Sequence, residues 1–406
     1  MAEPGSGNAP HEGYVRRFAP CAGRRNAAED GSACYIEEVD RAVEELHKRA
    51  AAEPDVVGLC GGMPAPELLP RGAASRALAE VPADRATDAL QYGWAEGDER
   101  LRGWVAARLA ARGADLRADD VIITSGAQQA LSLAAAELLG PGDRVGVGAA
   151  SYPGALAAFA QAGAVATASD RGVAVHYLIA GASNPEGIDA VAARPDALAG
   201  DVPLIVDEAY AELRFDGVVP RPLLGREPMR GRVWHVGTVS KTLSPGLRVG
   251  WLVPPAAHRE SILERKHAAD LQAGSLAQAA LAALLDELDY DRHVARAQRI
   301  YAERAARMLA ALRRRAPSSW RFTEPEGGFA VWLQTDVPMD GAVALERAIA
   351  AGVSFDPGHL FLPSGDGDSA AEPLALRLSF SSAPIDELDR GVARLVGSLT
   401  SVSGSA

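Results

Sequence analysis

Two kinds of hydrophobic pattern alternate along most of the chain. Short apolar runs bounded by Gly, Pro or polar residues predict buried strands. These runs cover residues 56–59, 121–124, 145–147, 175–180, 204–207, 233–236, 249–253, 327–333 and 374–380. Longer segments with apolar residues at helical spacing predict helices over residues 35–52, 98–111, 127–139, 258–272, 276–288, 292–314 and 344–351. Strands that alternate with helices are typical of an α/β protein.

The segment from Thr238 to Arg248 contains a lysine, several hydroxyls and an arginine within eleven residues, with a Ser-Pro-Gly turn between Lys241 and Arg248. A lysine on a tight, buried loop at a strand end would have a lowered pKa, which makes its amine available as a nucleophile. The hydroxyls and Arg248 suit an anion the size of a phosphate group. Considered alone, the segment is also compatible with an ordinary basic loop on the surface.

A second segment, residues 204–210, ends an apolar run with Asp207 and places Tyr210 three residues later. Ligands of open parallel sheets bind outside the carboxyl ends of the strands. Asp207 and Lys241 can therefore face one crevice from two strands. An acid beside a pyridinium nitrogen and a lysine for covalent attachment are the two protein groups that pyridoxal phosphate requires.

The pattern Asp207-x-x-Tyr210, then Ser240-Lys241, then Arg248, resembles the fold-type I pyridoxal-phosphate-dependent aminotransferases. Within them it is most similar to the group that contains the aminoadipate-type aminotransferases and the aminotransferase-like domains of some bacterial regulators. The resemblance extends from about Gly58 to the end of the chain. It implies a mostly parallel central sheet flanked by helices, a smaller α+β domain, pyridoxal 5'-phosphate as cofactor, and a homodimer whose active sites are completed across the interface.

Composition and the resemblance together divide the chain into four segments. Residues 1–30, rich in Gly, Pro, Ala and charges, are predicted to form a flexible arm. Residues 31–70 are expected to contribute to the small domain and the substrate site, residues 71–295 to form the large cofactor-binding domain, and residues 296–406 to form the rest of the small domain. The link at residues 168–173 is short where many relatives insert a helix, so one helix on the sheet face is expected to be missing.

Residues 121–130 read as a strand, a Ser-Gly-Ala turn and a helix start, which is a candidate anion cradle because the first N–H groups of a helix are unpaired. Many α/β crossovers share this motif. With the resemblance it becomes a phosphate cup formed by Gly126, Ala127 and Gln128. The resemblance assigns the other cofactor contacts to Thr238, Ser240 and Arg248 at the phosphate, Tyr152 on the pyridine face, Asn184 and Tyr210 at the phenolic oxygen, and Tyr92 at the phosphate of the neighbouring subunit.

On the substrate side, the resemblance implies that Gly61 and Gly62 border the substrate, where only glycine lets the backbone come close; the alternative is a plain turn. Arg377, and with it Asn184, is assigned to the substrate; Arg377 would grip the α-carboxylate, whereas without the resemblance it would be an edge-strand arginine reaching solvent. Aminoadipate-type enzymes carry an arginine for acidic side chains on an N-terminal helix. Here Glu37 lies in the comparable stretch, so we expect a neutral or cationic, including guanidino-type, side chain, unless Glu37 is plain surface.

Composition excludes several other classes of protein. The 406 residues carry a net charge of −12, which argues against binding nucleic acid through bulk charge. Three cysteines, Cys21, Cys34 and Cys60, are too few and too scattered for a disulfide framework or a zinc site, so no metal is expected. The first twenty residues lack the apolar core of a secretory signal, and no window approaches eighteen apolar residues. We therefore expect a cytoplasmic protein with no membrane partner.

The predicted function is transamination between an L-amino acid and a 2-oxo acid, in specialised amino-acid biosynthesis. Lys241 would hold the cofactor and move a proton, Asp207 would keep the pyridine nitrogen protonated, and Tyr210 would assist them. Lyase, decarboxylase and oxidase reactions would use the same lysine and acid, so they stay open as an alternative. A non-catalytic ligand sensor would need a DNA-binding unit ahead of the domain, and the roughly sixty residues before Gly61 do not resemble one.

Overall fold

The computed structural model describes residues 31–79, 83–226, 229–364 and 373–400. The chain divides into two compact units, Met1–Arg41 and Ala42–Ala406. The predicted flexible arm at residues 1–30 lies outside the described residues. In the first unit the description covers the beginning of the first helix.

The strands are short, and most of those in the interior are buried along their whole length, as the apolar runs predict. In chain order they are β1 (Val57–Leu59), β2 (Ile122–Thr124), β3 (Arg144–Gly146), β4 (Val165–Thr167), β5 (Val175–Ile179), β6 (Leu204–Asp207), β7 (Val233–Thr238), β8 (Gly250–Val253), β9 (Arg321–Phe322), β10 (Ala330–Gln334), β11 (Val353–Pro357) and β12 (Ala375–Ser379).

The helices lie between these strands for most of the chain. They are α1 (Gly31–Ala52), α2 (Arg71–Ala79), α3 (Ala83–Leu90), α4 (Glu99–Ala111), α5 (Ala127–Leu138), α6 (Pro153–Gln161), α7 (Pro195–Ala199), α8 (Arg259–Asp270), α9 (Ser275–Glu287), α10 (Tyr290–Arg315), α11 (Gly341–Ala350) and α12 (Glu387–Thr400).

A seven-stranded sheet forms the centre of the larger region, in the order β4-β3-β5-β6-β7-β8-β2. All neighbours are parallel except β8, which runs antiparallel to both β7 and β2. Side chains of β6 alternate between two cores: Ile205 packs in the cluster that contains α5 and α6, and Val206 packs in the cluster that contains α4 and α9. Helices therefore cover both faces of the sheet. A ligand can then reach functional groups only at the ends of the strands.

A second, five-stranded sheet has the order β1-β11-β12-β10-β9 and is antiparallel apart from the β1–β11 pair. Its core includes Phe355, Leu376 and Leu378 together with apolar residues of α10 and α12. The register sets Arg377 of β12 beside Asp356 of β11 and opposite Trp332 of β10. A buried arginine and a buried aspartate are thus neighbours in one sheet.

The structure moves several predicted boundaries for local reasons. The strand predicted at residues 327–333 begins at Ala330, because Gly328 has a φ of 75°, outside the strand region. Helix α11 begins at Gly341 and not at residue 344, because the Asp340 carboxylate accepts hydrogen bonds from Ala342 N and Val343 N. Helix α10 begins at Tyr290, two residues early, with Asp289 as its cap.

The short link after β4 leaves the sheet complete. Residues 168–174 contain no helix, as the sequence predicts, and β4 still pairs with β3 at the edge. Arg194 pairs with Asp170, which lies in the link, and donates a hydrogen bond to the Gly146 carbonyl oxygen at 3.3 Å. These contacts hold the link against β3. The predicted division into domains at residues 70 and 295 stays a prediction.

None of the helices in the described part of the chain is by itself long and apolar enough to cross a membrane. By length and composition alone, the segments Ala256–Asp270 and Ser275–Glu287 would qualify as a pair, but they are bent by 116° relative to each other.

Candidate active site

Lys241 lies in the loop that follows β7. Its Nζ donates a hydrogen bond to the Gly62 carbonyl oxygen at 2.8 Å and lies 5.6 Å from the centre of the Tyr210 ring. Burial, and then the nearby Arg377 charge, lower the pKa of Lys241 to about 8, while Asp207 acts in the opposite direction. Near physiological pH an appreciable minority of this amine is therefore neutral, far more than at the ordinary lysine pKa of 10.5, so it can act as a nucleophile or a base.

Asp207 ends β6 and is buried. Its two carboxylate oxygens accept hydrogen bonds of 2.9 Å, one from Ala209 N and one from the Tyr177 hydroxyl. Burial raises the pKa of Asp207, and these two hydrogen bonds together with Lys241 oppose that rise. Tyr177 was not predicted as a site residue, although a tyrosine inside a fully buried strand needs a partner for its hydroxyl.

The loop before α5 forms a cradle at a helix N-terminus. Gly126 has a φ of 83°, and a Cβ there would come within 2.6 Å of Arg248 Nη2. Arg248 Nη2 donates to the Ser125 carbonyl oxygen at 3.2 Å, so the guanidinium lies against this loop. The hydroxyls of Thr238 and Ser240 are 2.9 Å apart. Unpaired helix N–H groups, a guanidinium and hydroxyls are the groups that bind phosphate.

Tyr152 precedes α6 and is held from behind by Gln128. The Gln128 amide donates to the Gly154 carbonyl oxygen at 2.6 Å, and its Oε1 lies 3.4 Å from the Tyr152 hydroxyl. Burial, and then the Asp207 charge, raise the pKa of Tyr152 to about 12, so the ring stays neutral near Asp207. The Gln128 side chain therefore supports the Tyr152 loop.

Arg377 is buried and touches residues from three distant segments. Its Nη1 donates to Asn184 Oδ1 at 3.1 Å, and its Nη2 donates to the Gly61 carbonyl oxygen at 2.5 Å. Asp356 places one carboxylate oxygen 3.4 Å from Arg377 Nε and accepts a hydrogen bond from Gly61 N at 2.9 Å. Asp356 was not predicted; its only signal is an acid inside the apolar run 353–357.

Gly62 lies between the candidate cofactor residues Lys241 and Tyr210 and the candidate substrate residue Arg377. A Cβ at this position would be 3.2 Å from the Tyr210 hydroxyl and 3.3 Å from both Arg377 Nη2 and Lys241 Nζ. The glycine therefore keeps open a space that is bordered by an amine, a guanidinium and a phenol. This open space, the buried Asp207 carboxylate and the anion cradle fit a pyridoxal phosphate molecule with a carboxylate-bearing substrate.

Two candidates stand apart from this group. Tyr92 is 77% exposed, and its main-chain N–H bonds the side chain of its neighbour Gln91. Glu37 falls within α1, but its side chain lies outside the described residues.

Comparisons with known proteins agree with this geometry. The profile of the family "Aminotransferase class I and II" matches residues 164–395. The chain is 33% identical to 2-aminoadipate transaminase of Thermus thermophilus over 378 residues, which cover 87% of this chain and 92% of that protein. It is 30% identical to aromatic-amino-acid aminotransferase 1 of Thermococcus litoralis over 369 residues, covering 84% and 87%.

Among solved structures, the chain is similar to LysN, the α-aminoadipate aminotransferase of Thermus thermophilus, crystallised in complex with N-(5'-phosphopyridoxyl)-L-leucine. The two structures superimpose with a TM-score of 0.77 at 31% sequence identity, and the match covers 89% of this chain and 94% of that chain. Fold and site thus define a fold-type I pyridoxal-phosphate-dependent transferase. The chain belongs to the aminotransferase class I and II family. It is an enzyme that transfers an amino group between an amino acid and a 2-oxo acid, which confirms the predicted fold class, cofactor and reaction.

Proposed function

We propose that Lys241 and Asp207 are the catalytic residues of this transamination, that Tyr210 assists them, and that Arg377 binds the substrate α-carboxylate. The observation that carries the proposal is the convergence of Lys241, Arg377 and Tyr210 on the space beside Gly62. When bound, pyridoxal phosphate supplies a ring that accepts electrons from the substrate Cα–H bond.

Each residue has a task that follows from its surroundings. Lys241 Nζ, whose pKa of about 8 makes its neutral form accessible, would accept the Cα proton and return it to the cofactor carbon that is bonded to the substrate nitrogen. The Asp207 carboxylate would stabilise a proton on the ring nitrogen, and its hydrogen bonds from Tyr177 and Ala209 N favour its ionised form against the effect of burial. Tyr152 would cover the ring face and exclude water, and Asn184, which accepts a hydrogen bond from Arg377, would orient both the ring and that arginine.

The phosphate end of the cofactor would lie in the cradle before α5. The residues proposed to hold it through main-chain N–H groups, hydroxyls and a guanidinium are Gly126, Ala127, Gln128, Thr238, Ser240 and Arg248. Gly61 and Gly62 would line the substrate with main-chain atoms, because Gly61 already accepts from Arg377 and Gly62 from Lys241.

The reaction is tested by a half-reaction with one amino acid and no acceptor. The holoenzyme should release one equivalent of the matching 2-oxo acid per site and keep the amino group. Lys241→Ala should release none, whereas Lys48→Ala, at an exposed lysine paired with Glu44 and Glu45, should behave as wild type. Accumulation of ammonia, carbon dioxide or peroxide in place of the 2-oxo acid would move the assignment to lyase, decarboxylase or oxidase chemistry.

We propose further that the preferred amino donor has a neutral or cationic side chain, including a guanidino group. The cationic members of the candidate set are Lys241, Arg248 and Arg377, and the proposal uses all three, so the set offers no cation for a second carboxylate. Glu37 is the residue expected to favour such donors. Glu37→Ala should lower the use of arginine-like donors relative to glutamate-like donors in a mixture, and an unchanged ratio would remove Glu37 from the proposal.

A homodimer is proposed because the loop that carries Tyr92 is apolar and open. Leu90, Tyr92 and Trp94 are 77–81% exposed, and Leu276, from a helix bonded to this loop, is half-exposed. In the dimer Tyr92 would reach the phosphate of the other subunit. Mixing Lys241→Ala subunits with Tyr92→Phe subunits should restore full activity to one site per hybrid dimer, and no recovery in proven hybrids would contradict the role across the interface.

We also propose a cytoplasmic location and a role in amino-acid biosynthesis. The acidic composition and the low number of cysteines support the first, and the reaction class supports the second. Fractionation of the source cells, with activity measured in each fraction, tests the location.

A further inference from the structure

Lys266 is a fully buried lysine that transamination leaves without a task. It lies on α8, and its Nζ donates to Asp270 Oδ1 at 2.8 Å and to Gln129 Oε1 at 3.4 Å. Burial lowers the pKa of Lys266, while the bond to Asp270 raises it. An ion pair with a fully buried lysine gives little net stability, because the lysine charge loses its hydration and the partly exposed Asp270 loses part of its own. Its presence here therefore calls for a role other than stabilising the fold.

The contacts of Asp270 point to that role. Its other carboxylate oxygen, Oδ2, accepts hydrogen bonds from Gln129 Nε2 at 2.6 Å and from the Ser125 hydroxyl at 3.3 Å. Gln129 Oε1 in turn accepts from Ser125 N at 2.8 Å. Ser125 is thus held at its main chain and its side chain by one connected cluster, formed by Lys266, Asp270 and Gln129.

Ser125 is the residue immediately before Gly126 in the proposed phosphate cup. Its carbonyl oxygen accepts the hydrogen bond from Arg248 Nη2 at 3.2 Å. Fixing Ser125 therefore fixes both the start of the cup and the guanidinium that lies against it. A carboxylate alone near an anion site would repel the anion, and the Lys266 charge cancels that repulsion while leaving the hydrogen bonds of Asp270 in place.

We propose that the cluster of Lys266, Asp270 and Gln129 positions Ser125 and the phosphate cup, so that the apoprotein selects the phosphorylated cofactor over unphosphorylated pyridoxal. This rests on the proposed cup. The three residues are positioning residues: they act through Ser125 and Arg248, and through the balance of charge behind the cup, and not by contact with the phosphate.

The test compares equilibrium dissociation constants of pyridoxal phosphate and of pyridoxal for the apoprotein, followed by absorption of the bound ligand. Lys266→Met keeps most of the length of the side chain and leaves the Asp270 charge uncompensated. It should raise the dissociation constant of pyridoxal phosphate by about tenfold and that of pyridoxal by less than about twofold, because only the phosphate group is repelled by that charge. Asp270→Asn should have a smaller effect, since it keeps an acceptor oxygen and removes the negative charge.

A double variant separates charge from geometry. Lys266→Met with Asp270→Asn removes both charges, so it should bind pyridoxal phosphate more tightly than Lys266→Met alone. Gln129→Leu should also weaken the binding of pyridoxal phosphate alone, because Ser125 N loses its acceptor. This variant changes no charge, so it can replace Lys266→Met if the latter fails to fold. Arg265→Met is the matched control: it lies on the same helix, removes an ion pair with Glu137, and should leave both ligands unchanged.

The possible outcomes separate this inference from the assignment of the cup. The inference would be overturned if Lys266→Met and Gln129→Leu weakened the binding of both ligands equally, or weakened the binding of neither. Arg248→Met removes a group proposed to touch the phosphate and should reduce the preference for pyridoxal phosphate. If Arg248→Met leaves the preference unchanged, the cup itself is misassigned; if it reduces the preference and the cluster variants do not, only the inference fails.

Discussion

The two halves of the active site are built in different ways. The cofactor side, defined by Asp207, Lys241 and Gly126, lies at the ends of strands of one sheet, where β6 and β7 pair in parallel from Leu204 to Asp207. The substrate side, defined by Arg377, Asp356 and Gly61, is held together by bonds between residues 295 and 316 positions apart in the chain. One half follows from sheet topology and the other from packing of distant segments.

This difference decides how each half is stabilised. On the cofactor side the main chain of the sheet places Asp207 and the Lys241 loop, and side chains such as Tyr177 adjust them. On the substrate side the carboxylate of Asp356 must hold both the Gly61 turn and the Arg377 guanidinium. We therefore expect that a single substitution on the substrate side impairs substrate binding and leaves the cofactor side intact. The exception is the point of contact between the two halves.

That point of contact is Gly62, and its substitution should have the largest effect. In Gly62→Ala the added methyl group would lie 3.2–3.3 Å from Tyr210, Arg377 and Lys241, tighter than ordinary van der Waals contact. All three groups must give by a few tenths of an ångström at once, and a misplacement of about 1 Å costs on the order of a hundredfold in rate. We therefore expect kcat/KM to fall by somewhat less than that, on the order of thirtyfold, with both kcat and KM affected.

Gly58→Ala is the matched control for this change. Gly58 lies in β1, a few residues before Gly62, and nothing lies within 4 Å of a Cβ there. Its kinetic constants should remain close to wild type. An equally damaged Gly58→Ala, or an undamaged Gly62→Ala, would show that the two halves do not meet at this glycine.

Asp356→Asn should have an intermediate effect confined to the substrate side. The variant keeps one oxygen for Gly61 N but loses the charge beside Arg377, so the guanidinium is less firmly oriented. The substrate carboxylate does not change during the reaction, and weaker binding of it raises KM and leaves kcat nearly unchanged. We expect KM for the amino donor to rise by about tenfold in steady-state kinetics.

The control here is Ser354→Ala, on the same strand as Asp356. Ser354 is also buried, but its hydroxyl bonds Cys60 at 3.3 Å and not the arginine. It should leave KM unchanged. A fall in kcat without a change in KM for Asp356→Asn would instead assign the aspartate to the chemical step.

The same contrast explains what could be predicted from the sequence. The strands that carry Asp207 and precede Lys241, and the helix after Gly126, follow from short apolar runs and a glycine turn, which are local signals. Asp356, Tyr177 and Lys266 carry at most a weak local signal, because each is a single polar residue whose partner is fixed by tertiary packing. Helices α2, α3, α6, α7 and α12 were also missed. The roles of all candidate residues stay predictions.

The smallest effect, a displaced pH midpoint, tests whether electrostatics crosses between the halves. Protonated Lys241 cannot attack, so the rate of attachment of pyridoxal phosphate to the apoprotein should rise as the pH is raised through about 8 and then level off. Arg377, on the substrate side, lowers this pKa. In Arg377→Leu the midpoint should therefore move to higher pH, measured by stopped-flow absorbance from below the wild-type midpoint to well above it.

Added salt provides the control for this last measurement. Charges buried in the site are screened less than exposed ones, so raising the ionic strength should move the wild-type midpoint much less than Arg377→Leu does. A wild-type midpoint near the ordinary lysine value of 10.5 would contradict the burial of Lys241. An unmoved midpoint in Arg377→Leu would mean that the two halves, although they share Gly62, are electrostatically independent.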